Sequence, residues 1–500
     1  MNSHRLARGP VLAAAVMAAA ALTAPLAIAA PAAAPAPPKK AAAKPNDFNG
    51  DGIRDLAVGA PGGTAGKVAK AGHVSVLYGS KSKPLTAQKQ LFHQDSPGVS
   101  GTAAAGDRYG DSLAGADLDR DGYADLVVGA PGDTIGGHGP NRGSVSVLWG
   151  SPKGLTAGPT LATGGADTDL VGLRLAVGDF DGDGDQDLAL TESQANLRIL
   201  SGPLKRDGSA TGVRAITDQD NLHRITDLAA GDVNKDGRTD LVASRYNSDM
   251  YEYPDTAVWQ GTAQGPAATP KVVKTKRMDI QGGDNLDVGD VNKDGYADIV
   301  VGKDDFREFD MDGGKGGRIL FYPGSAKGAD GSKAVVWTQD TQGVPGTAAY
   351  RDYFGSGVTV ADVDGDGYGD IASGLPGKTV DKAKKAGSVL VLRGSAKGPT
   401  TTGAKVFTQS TAGVPGASEA NDTFGASVGV TDLNGDNRPE LVVGGTGEDK
   451  GAGAVWVLKG TKTGPATTGA ITFGNGTVGA PAAVNSGFGS AFANFTTYWH

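Results

Sequence analysis

Short apolar runs of period two recur along this chain, each closed by glycine or proline, the pattern of β-strands separated by tight turns. The clearest is Ser388-Val389-Leu390-Val391-Leu392-Arg393-Gly394, repeated as His73–Gly79 and Ser144–Gly150 and more loosely at Arg198–Leu200, Thr256–Trp259, Arg318–Phe321 and Ala454–Leu458. Around one copy a whole unit can be drawn. Phe354–Val360 alternates as a first strand, Asp370–Gly374 follows as a second, Leu375-Pro376-Gly377 breaks it, 388–394 is the third, and Lys405–Gln409 is the fourth. Seven copies of four short strands predict an all-β chain. The expected fold is a seven-bladed β-propeller of four-stranded blades, an arrangement whose radial repetition leaves only short, protected edges.

Between the first and second strands of each unit lies an acidic word, Asp-x-(Asp/Asn)-x-Asp-(Gly/Asn)-x-x-(Asp/Glu), spaced 53 to 72 residues from the next. Its oxygen-bearing positions 1, 3, 5 and 9 are Asp47, Asn49, Asp51 and Asp55 in the first copy and Asp117, Asp119, Asp121 and Asp125 in the second. The third has Asp179, Asp181, Asp183 and Asp187, and the fourth Asp232, Asn234, Asp236 and Asp240. The fifth has Asp290, Asn292, Asp294 and Asp298, the sixth Asp362, Asp364, Asp366 and Asp370, and the seventh Asp432, Asn434, Asp436 and Glu440. Four side-chain oxygens with the backbone carbonyl of position 7 can surround a hard cation of calcium size, and glycine at position 6 allows the sharp turn. The word lacks the flanking helices and the distal Glu of an EF-hand. Up to seven structural Ca2+ ions are therefore expected, pinning hairpins rather than performing chemistry. The seventh copy, with Asn437 in place of glycine, is expected to be the weaker site.

These units resemble FG-GAP repeats, the blades of the seven-bladed propeller of integrin α chains and of many secreted bacterial proteins. Phe354-Gly355 and Phe424-Gly425 carry the first half of the motif, Gly59-Ala60-Pro61-Gly62 and Gly129-Ala130-Pro131-Gly132 the second. The likeness spans residues 47 to 500. It implies calcium in the loops and ligand contact on the opposite face but does not transfer a ligand; a protein or glycan ligand is expected.

The chain ends predict how the ring closes. An aromatic-Gly pair stands eight residues before the loop in complete units, as Tyr109 before Asp117, but the first loop has no strand ahead of it and the last pair, Phe488-Gly489, has no loop behind it. The segment Phe488 to Phe495 is therefore expected to complete the first blade. Upstream, His4, Arg5 and Arg8 precede an Ala-rich apolar run ending in Ala27-Ile28-Ala29, which reads as a signal peptide over 1–29; 30–46 reads as an Ala/Pro/Lys-rich disordered linker and 47–500 as the propeller. A secreted, extracellular monomer without stable membrane insertion is expected. The absence of cysteine removes disulfides, thiolate metal sites and Cys nucleophiles. The formal net charge is −8, and the first 45 residues are basic, so the remainder is more acidic still. Such a surface disfavours nucleic acid.

Catalytic signals are weak, and the chain is not expected to be an enzyme. Gly425-Ala426-Ser427-Val428-Gly429 has the spacing of a nucleophile elbow but sits on the aromatic-Gly strand. Units three to five break the pattern: they lack the aromatic-Gly pair and the Gly-Ala-Pro turn, and carry two connectors rich in aromatics and charge. From these, Arg245, Tyr246, Tyr251, Tyr253, Asp305, Phe306 and Arg307 are the candidate ligand contacts, the alternative being that they pack down to replace lost repeat contacts. The expected function is an extracellular binding or adhesion module; an enzyme acting on polysaccharide and a structural envelope protein are the alternatives.

Overall fold

The computed structural model describes residues 43–135, 141–218, 222–247, 254–276, 282–304 and 315–493. Seven four-stranded antiparallel sheets follow one another along the chain. Six of them use four strands in sequence order from the inner to the outer edge; blade six, for example, runs Val358–Ala361, Asp370–Leu375, Ser388–Arg393 and Thr400–Phe407. Blade one is assembled from both ends. Its inner strand is Ala491–Phe492, which pairs antiparallel with Leu56–Ala60 in the register Val58 to Phe492 and Gly59 to Ala491. Phe488, fully buried, packs edge-on against Phe473 of blade seven at 6.1 Å and fastens the seam. Residues 494 and 495 of the expected closing segment lie outside the described residues.

Burial explains which strands repeat most clearly. Second and third strands are covered on both faces by neighbouring blades; Leu126–Ala130 and Ser144–Trp149 are buried at every position. Outer strands face solvent, and Thr400–Phe407 is mostly half-buried or exposed. Apolar clusters bridge adjacent blades: Val389, Val391 and Phe407 of blade six pack with Phe424, Leu441 and Trp456 of blade seven, where Phe424 meets Trp456 edge-on at 5.1 Å.

The Phe-Gly and Gly-Ala-Pro motifs prove to be two halves of one inter-blade contact. A Cβ on Gly59 would lie 2.1 Å from the carbonyl oxygen of Gly110 in the next blade; the corresponding approach is 1.8 Å for Gly374 toward Gly425 and 2.3 Å for Gly444 toward Gly489. The receiving glycines have φ near +90°, a backbone that L side chains resist. Blade three keeps this contact through Gly172, against which Gly129 packs, although Val171 replaces the aromatic; blade five keeps it through Gly302 and Gly355. The irregular arc is thus narrower than the motif losses in units three to five suggest. Among the described residues, only the junctions between blades three and four and between four and five lack the glycine contact, with Thr191 and Ser244 in the second-strand position.

The segment ahead of the first loop also differs from expectation. Residues 43–46, at the end of the expected linker, pack against the ring: the Ala43 N–H donates to Asp117 Oδ2 at 3.1 Å, and Asn46 is buried with φ of 62°.

Candidate functional site

Six of the acidic loops join first to second strands, and the first leads from residues 43–46 into the second strand of blade one, so all seven share one face of the ring, and they are built alike. Position 1 accepts the N–H of position 6, as in Gly122 to Asp117 Oδ2 at 3.1 Å and Gly367 to Asp362 Oδ2 at 2.8 Å. Position 6 takes the left-handed turn, with φ of 86° at Gly122 and 60° at Asn437, the one loop where asparagine replaces glycine. Position 9 begins the second strand and is the most deeply held. Asp370 Oδ2 accepts from Val363 N at 3.1 Å and its Oδ1 from Gly394 N, at the end of the third strand, at 2.8 Å. The same pair of bonds holds Asp55, Asp125, Asp187, Asp240 and Asp298. This residue therefore ties its loop to the blade interior as well as facing the candidate cation.

In the three loops with an acid at every position, the carboxylates of positions 1, 3 and 9 converge: Asp117, Asp119 and Asp125; Asp179, Asp181 and Asp187; Asp362, Asp364 and Asp370, each set with oxygens within 4.8 Å of one another. Position 5 stands outside these sets. Asp121, Asp183 and Asp366 accept the N–H of position 7 at 2.7 to 3.0 Å, as do Asp51, Asp236, Asp294 and Asp436. In the asparagine loops Asn49, Asn234, Asn292 and Asn434 take the position-3 role, each accepting the N–H of position 5 at 2.9 Å. Position 1 is Asp47, Asp232, Asp290 and Asp432 there. The donor set is all oxygen, which fits a hard divalent cation.

Electrostatics point the same way. Burial, stronger than the opposing backbone hydrogen bonds, pushes the position-9 carboxyl up to about 8 at Asp55, about 7 at Asp298, Asp370 and Glu440, and about 6 at Asp187 and Asp240. Neighbouring loop carboxylates add to the rise. A buried anion of this kind is stable only beside a counter-charge.

Basic side chains around the loops were not anticipated from sequence. Position 4 laces the loops together: Lys235 Nζ donates to Asp294 O at 3.1 Å and Lys293 Nζ to Asp366 O at 2.9 Å, each next to a tyrosine ring at 5.4 and 5.2 Å. Arg206 of blade three reaches Asp119 at 2.5 Å and stacks on Trp149 at 5.0 Å. Arg393 pairs with Asp364 and lies 3.1 Å from Asp370. The signal for Arg393 was available, since it occupies the place of Tyr78 and Trp149 before the third-strand glycine.

Of the candidate ligand contacts, two fall among the described residues and both are engaged inside blade four. Arg245 lies within the second strand, Asp240–Asn247, is 5% exposed, makes a two-pronged ion pair with Asp255 at 2.9 and 2.8 Å, and covers the Trp259 ring at 5.6 Å. Tyr246 donates its hydroxyl to Asp284 of the next blade. The strand outruns the sequence-drawn connector because this ion pair and the pairing of Tyr246 with Pro254 extend the ladder. Tyr251, Tyr253, Asp305, Phe306 and Arg307 lie outside the described residues. Ser427, in the elbow-like pentapeptide, is fully buried and donates to Gly489 O across the seam.

The face opposite the acidic loops carries an open groove of roughly 560 Å3 over blades seven, one and two, bordered by Lys70, Arg108, Asp111, Thr446, Asn485 and Ser490. Lys70 and Asn485 are exposed, and Arg108 holds Asp111 at 2.8 Å.

The FG-GAP repeat pattern matches residues 43–77, 109–148, 354–392 and 424–458, and an FG-GAP-like repeat matches 179–243. The chain carries FG-GAP repeats. Among proteins similar to this FG-GAP chain, phosphatidylinositol-glycan-specific phospholipase D of Rattus norvegicus is 36% identical over 148 residues, covering 29% of this chain and 17% of that protein. Integrin alpha-8 of Mus musculus is 31% identical over 166 residues, 33% of this chain and 14% of that one. The matches thus span less than a fifth of these relatives' own lengths. The solved structure of the rhamnogalacturonan lyase YesW overlaps 85% of this chain and 72% of its own at 14% identity, with a TM-score of 0.41.

Proposed function

We propose that this FG-GAP propeller is an extracellular binding module: its acidic loops hold calcium and brace the ring, and its opposite face takes a protein or glycan ligand without turning it over. The observation that carries this reading is the division between the two faces. On one, carboxylates converge in all-oxygen sets locked by backbone N–H groups. On the other, the groove over blades seven, one and two presents glycine backbone, exposed Lys70 and Asn485, and hydroxyls of Thr446 and Ser490. A concave, largely apolar surface with a few hydrogen-bonding groups suits the faces and hydroxyls of a sugar or an extended peptide. The signal-like first 29 residues accord with export.

The test is a screen of the whole chain against glycans, cell-wall fractions and extracellular proteins, in calcium and in chelator. Binding that needs calcium and falls about tenfold or more in a Lys70→Ala, Asn485→Ala variant is expected. Binding untouched by those changes but lost in Tyr251→Ala and Phe306→Ala would move the site to the connectors of blades four and five. Sustained cleavage of a polysaccharide would replace the binding reading with an enzymatic one.

A further inference from the structure

Between blades five and six, on the side away from the acidic loops, lies a cavity of about 160 Å3. Its walls include Gln339, Pro345, Leu375, Lys378, Ser388 and Leu390. Gly346 and Thr379 also border it and are exposed, so it opens to solvent. Leu375 and Leu390 are buried.

Strand register shows what other blades place here. Ser388 pairs with Leu375 in blade six, as His73 pairs with Ala60 in blade one and Ala454 with Gly445 in blade seven. Leu390, two places on, therefore corresponds to Trp456, and Ser388 to His73. Lys378, three places after Leu375, corresponds to Gly63. Trp337 pairs with Ile319 as Phe473 pairs with Val455, so Gln339 and Asn475, each two places later, correspond as well. The turn that carries Pro345 is folded like the one that carries Pro415: Val344 N donates to Thr341 O and Val414 N to Thr411 O, both at 3.0 Å.

Blade one fills its version with an imidazole. His73 Nε2 faces Asn475 Oδ1 at 3.2 Å, and a Cβ on Gly63 would stand 2.2 Å from His73 Nδ1. Blade seven fills its version with an indole. Trp456 Nε1 donates to Pro415 O at 2.9 Å, and a Cβ on Gly445 would stand 2.7 Å from Trp456 Cζ3. Both rings are buried. The residues they touch are the counterparts of Gln339, Lys378, Pro345 and Leu375, four walls of the blade-six cavity. In blade two, where both ring positions are serine, the Tyr109 hydroxyl comes to 3.5 Å from Ser146 Oγ. Blade six supplies neither ring. Leu375 takes back part of the room that Gly445 yields, and the cavity is what remains.

We propose that this cavity binds a small planar aromatic molecule with an N–H edge, of the indole class. Its occupant is read from the repeat itself, since the same frame in blade seven closes over an indole. An apolar cavity of about 150 Å3 is enough to take benzene, and the open side leaves room for a fused second ring. The ring would lie between Leu375 and Leu390 and donate to Pro345 O, as Trp456 does to Pro415 O. It would restore the dispersion contacts that walls facing a void forfeit. Lys378, held 2.6 Å from Asp352, keeps its ammonium tied at the border. The site is separate from the groove over blades seven, one and two, and its occupancy does not depend on what that groove takes.

Indole is the probe. Crystals of the whole chain soaked in indole should show a flat bicyclic density beside Leu390 with its nitrogen at Pro345 O, and calorimetric titration should saturate at one site. 1-Methylindole, which cannot donate, should bind about tenfold more weakly or worse. Leu375→Gly combined with Leu390→Trp copies the blade-seven pair, and Ser388→His copies blade one. Each should weaken indole binding about tenfold or more while the calcium-loaded chain still unfolds cooperatively. No density in the cavity of the unmodified crystal would overturn the proposal whether or not the variants fold. Indole binding of unchanged strength in a folded filled variant would overturn it too, by placing the bound ring elsewhere.

Discussion

Two kinds of seam hold this ring together. At five junctions a glycine of one blade presses on a glycine carbonyl of the next, as Gly374 does on Gly425. At the junctions flanking blade four the described residues make no such contact, and buried charge takes its place. Arg174, 3% exposed, donates to Thr226 O at 2.5 Å and lies 3.9 Å from Asp227. Asp227 Oδ2 accepts Leu286 N from blade five at 2.9 Å, and Thr226 Oγ1 donates to Ser244 O at 3.1 Å. Half-buried Asp287 adds a similar bond at the glycine junction between blades five and six, accepting Val360 N at 2.8 Å at the wall of an axial cavity of about 260 Å3. Close backbone approach needs no buried charge but tolerates no Cβ. The polar seam admits side chains but depends on every partner staying in place, because a buried ion that loses its partner costs far more than the pair contributes.

The largest break should come from the closing strand. Deleting residues 486–500 removes the partner of Val58 and Gly59, the Gly489 carbonyl that receives Ser427, and Phe488. Blade one is left with an open edge. Loss of a cooperative thermal transition, followed by circular dichroism, is expected; melting at the full-length temperature would refute closure. Next is Gly374→Val at a glycine seam. Even its Cβ would stand 1.8 Å from Gly425 O, so the blades must part, at a cost of about 3 kcal/mol or more in denaturant titration. The matching test of the polar seam is Asp227→Ala, which strands Leu286 N–H and Arg174; about 2–4 kcal/mol is expected. Asp227→Asn should recover part of it. A near-zero effect of Asp227→Ala would mean that packing, not charge, seals blade four.

The contrast also explains what could be read from sequence. Blade number, strand order and the ring's closure were legible because both faces of the second and third strands are buried and because position 9 of each loop must bond the same two backbone groups; Asp125 and Asp370 cannot vary without stranding them. The polar seams were not legible. Asp227, Asp287 and Arg174 read as ordinary surface charges on alternating strands, and only the ring brings them to a neighbour's backbone. Arg245 misled for the same reason: on paper it opens a charged connector, while in the fold Asp255 and Trp259 keep it in the strand.

The smallest effect separates the loops from the polar seam by pH. Position-9 carboxyls such as Asp370, Asp298 and Glu440 are raised to about 7 in the folded chain against about 4 when unfolded. Below about pH 4 both states hold the proton and no penalty arises. As pH rises toward 7 the unfolded chain releases its protons first, so the calcium-free fold loses stability across that window. Calcium takes the place of those protons, so its stabilisation should grow over the same window. The unfolding midpoint in chelator should therefore fall between pH 5 and pH 8, and in millimolar calcium this decline should shrink or reverse. Asp287 is also raised to about 7, by desolvation deep in the ring, yet it lies away from the loops and its oxygens already hold Val360 N and Val288 N. The part of the decline that calcium leaves untouched should thus diminish in Asp287→Asn, whereas the calcium-sensitive part should diminish in Asp370→Asn. If Asp287→Asn instead alters the calcium-sensitive part, the loops and the polar seam are one coupled unit and the two kinds of seam are not independent.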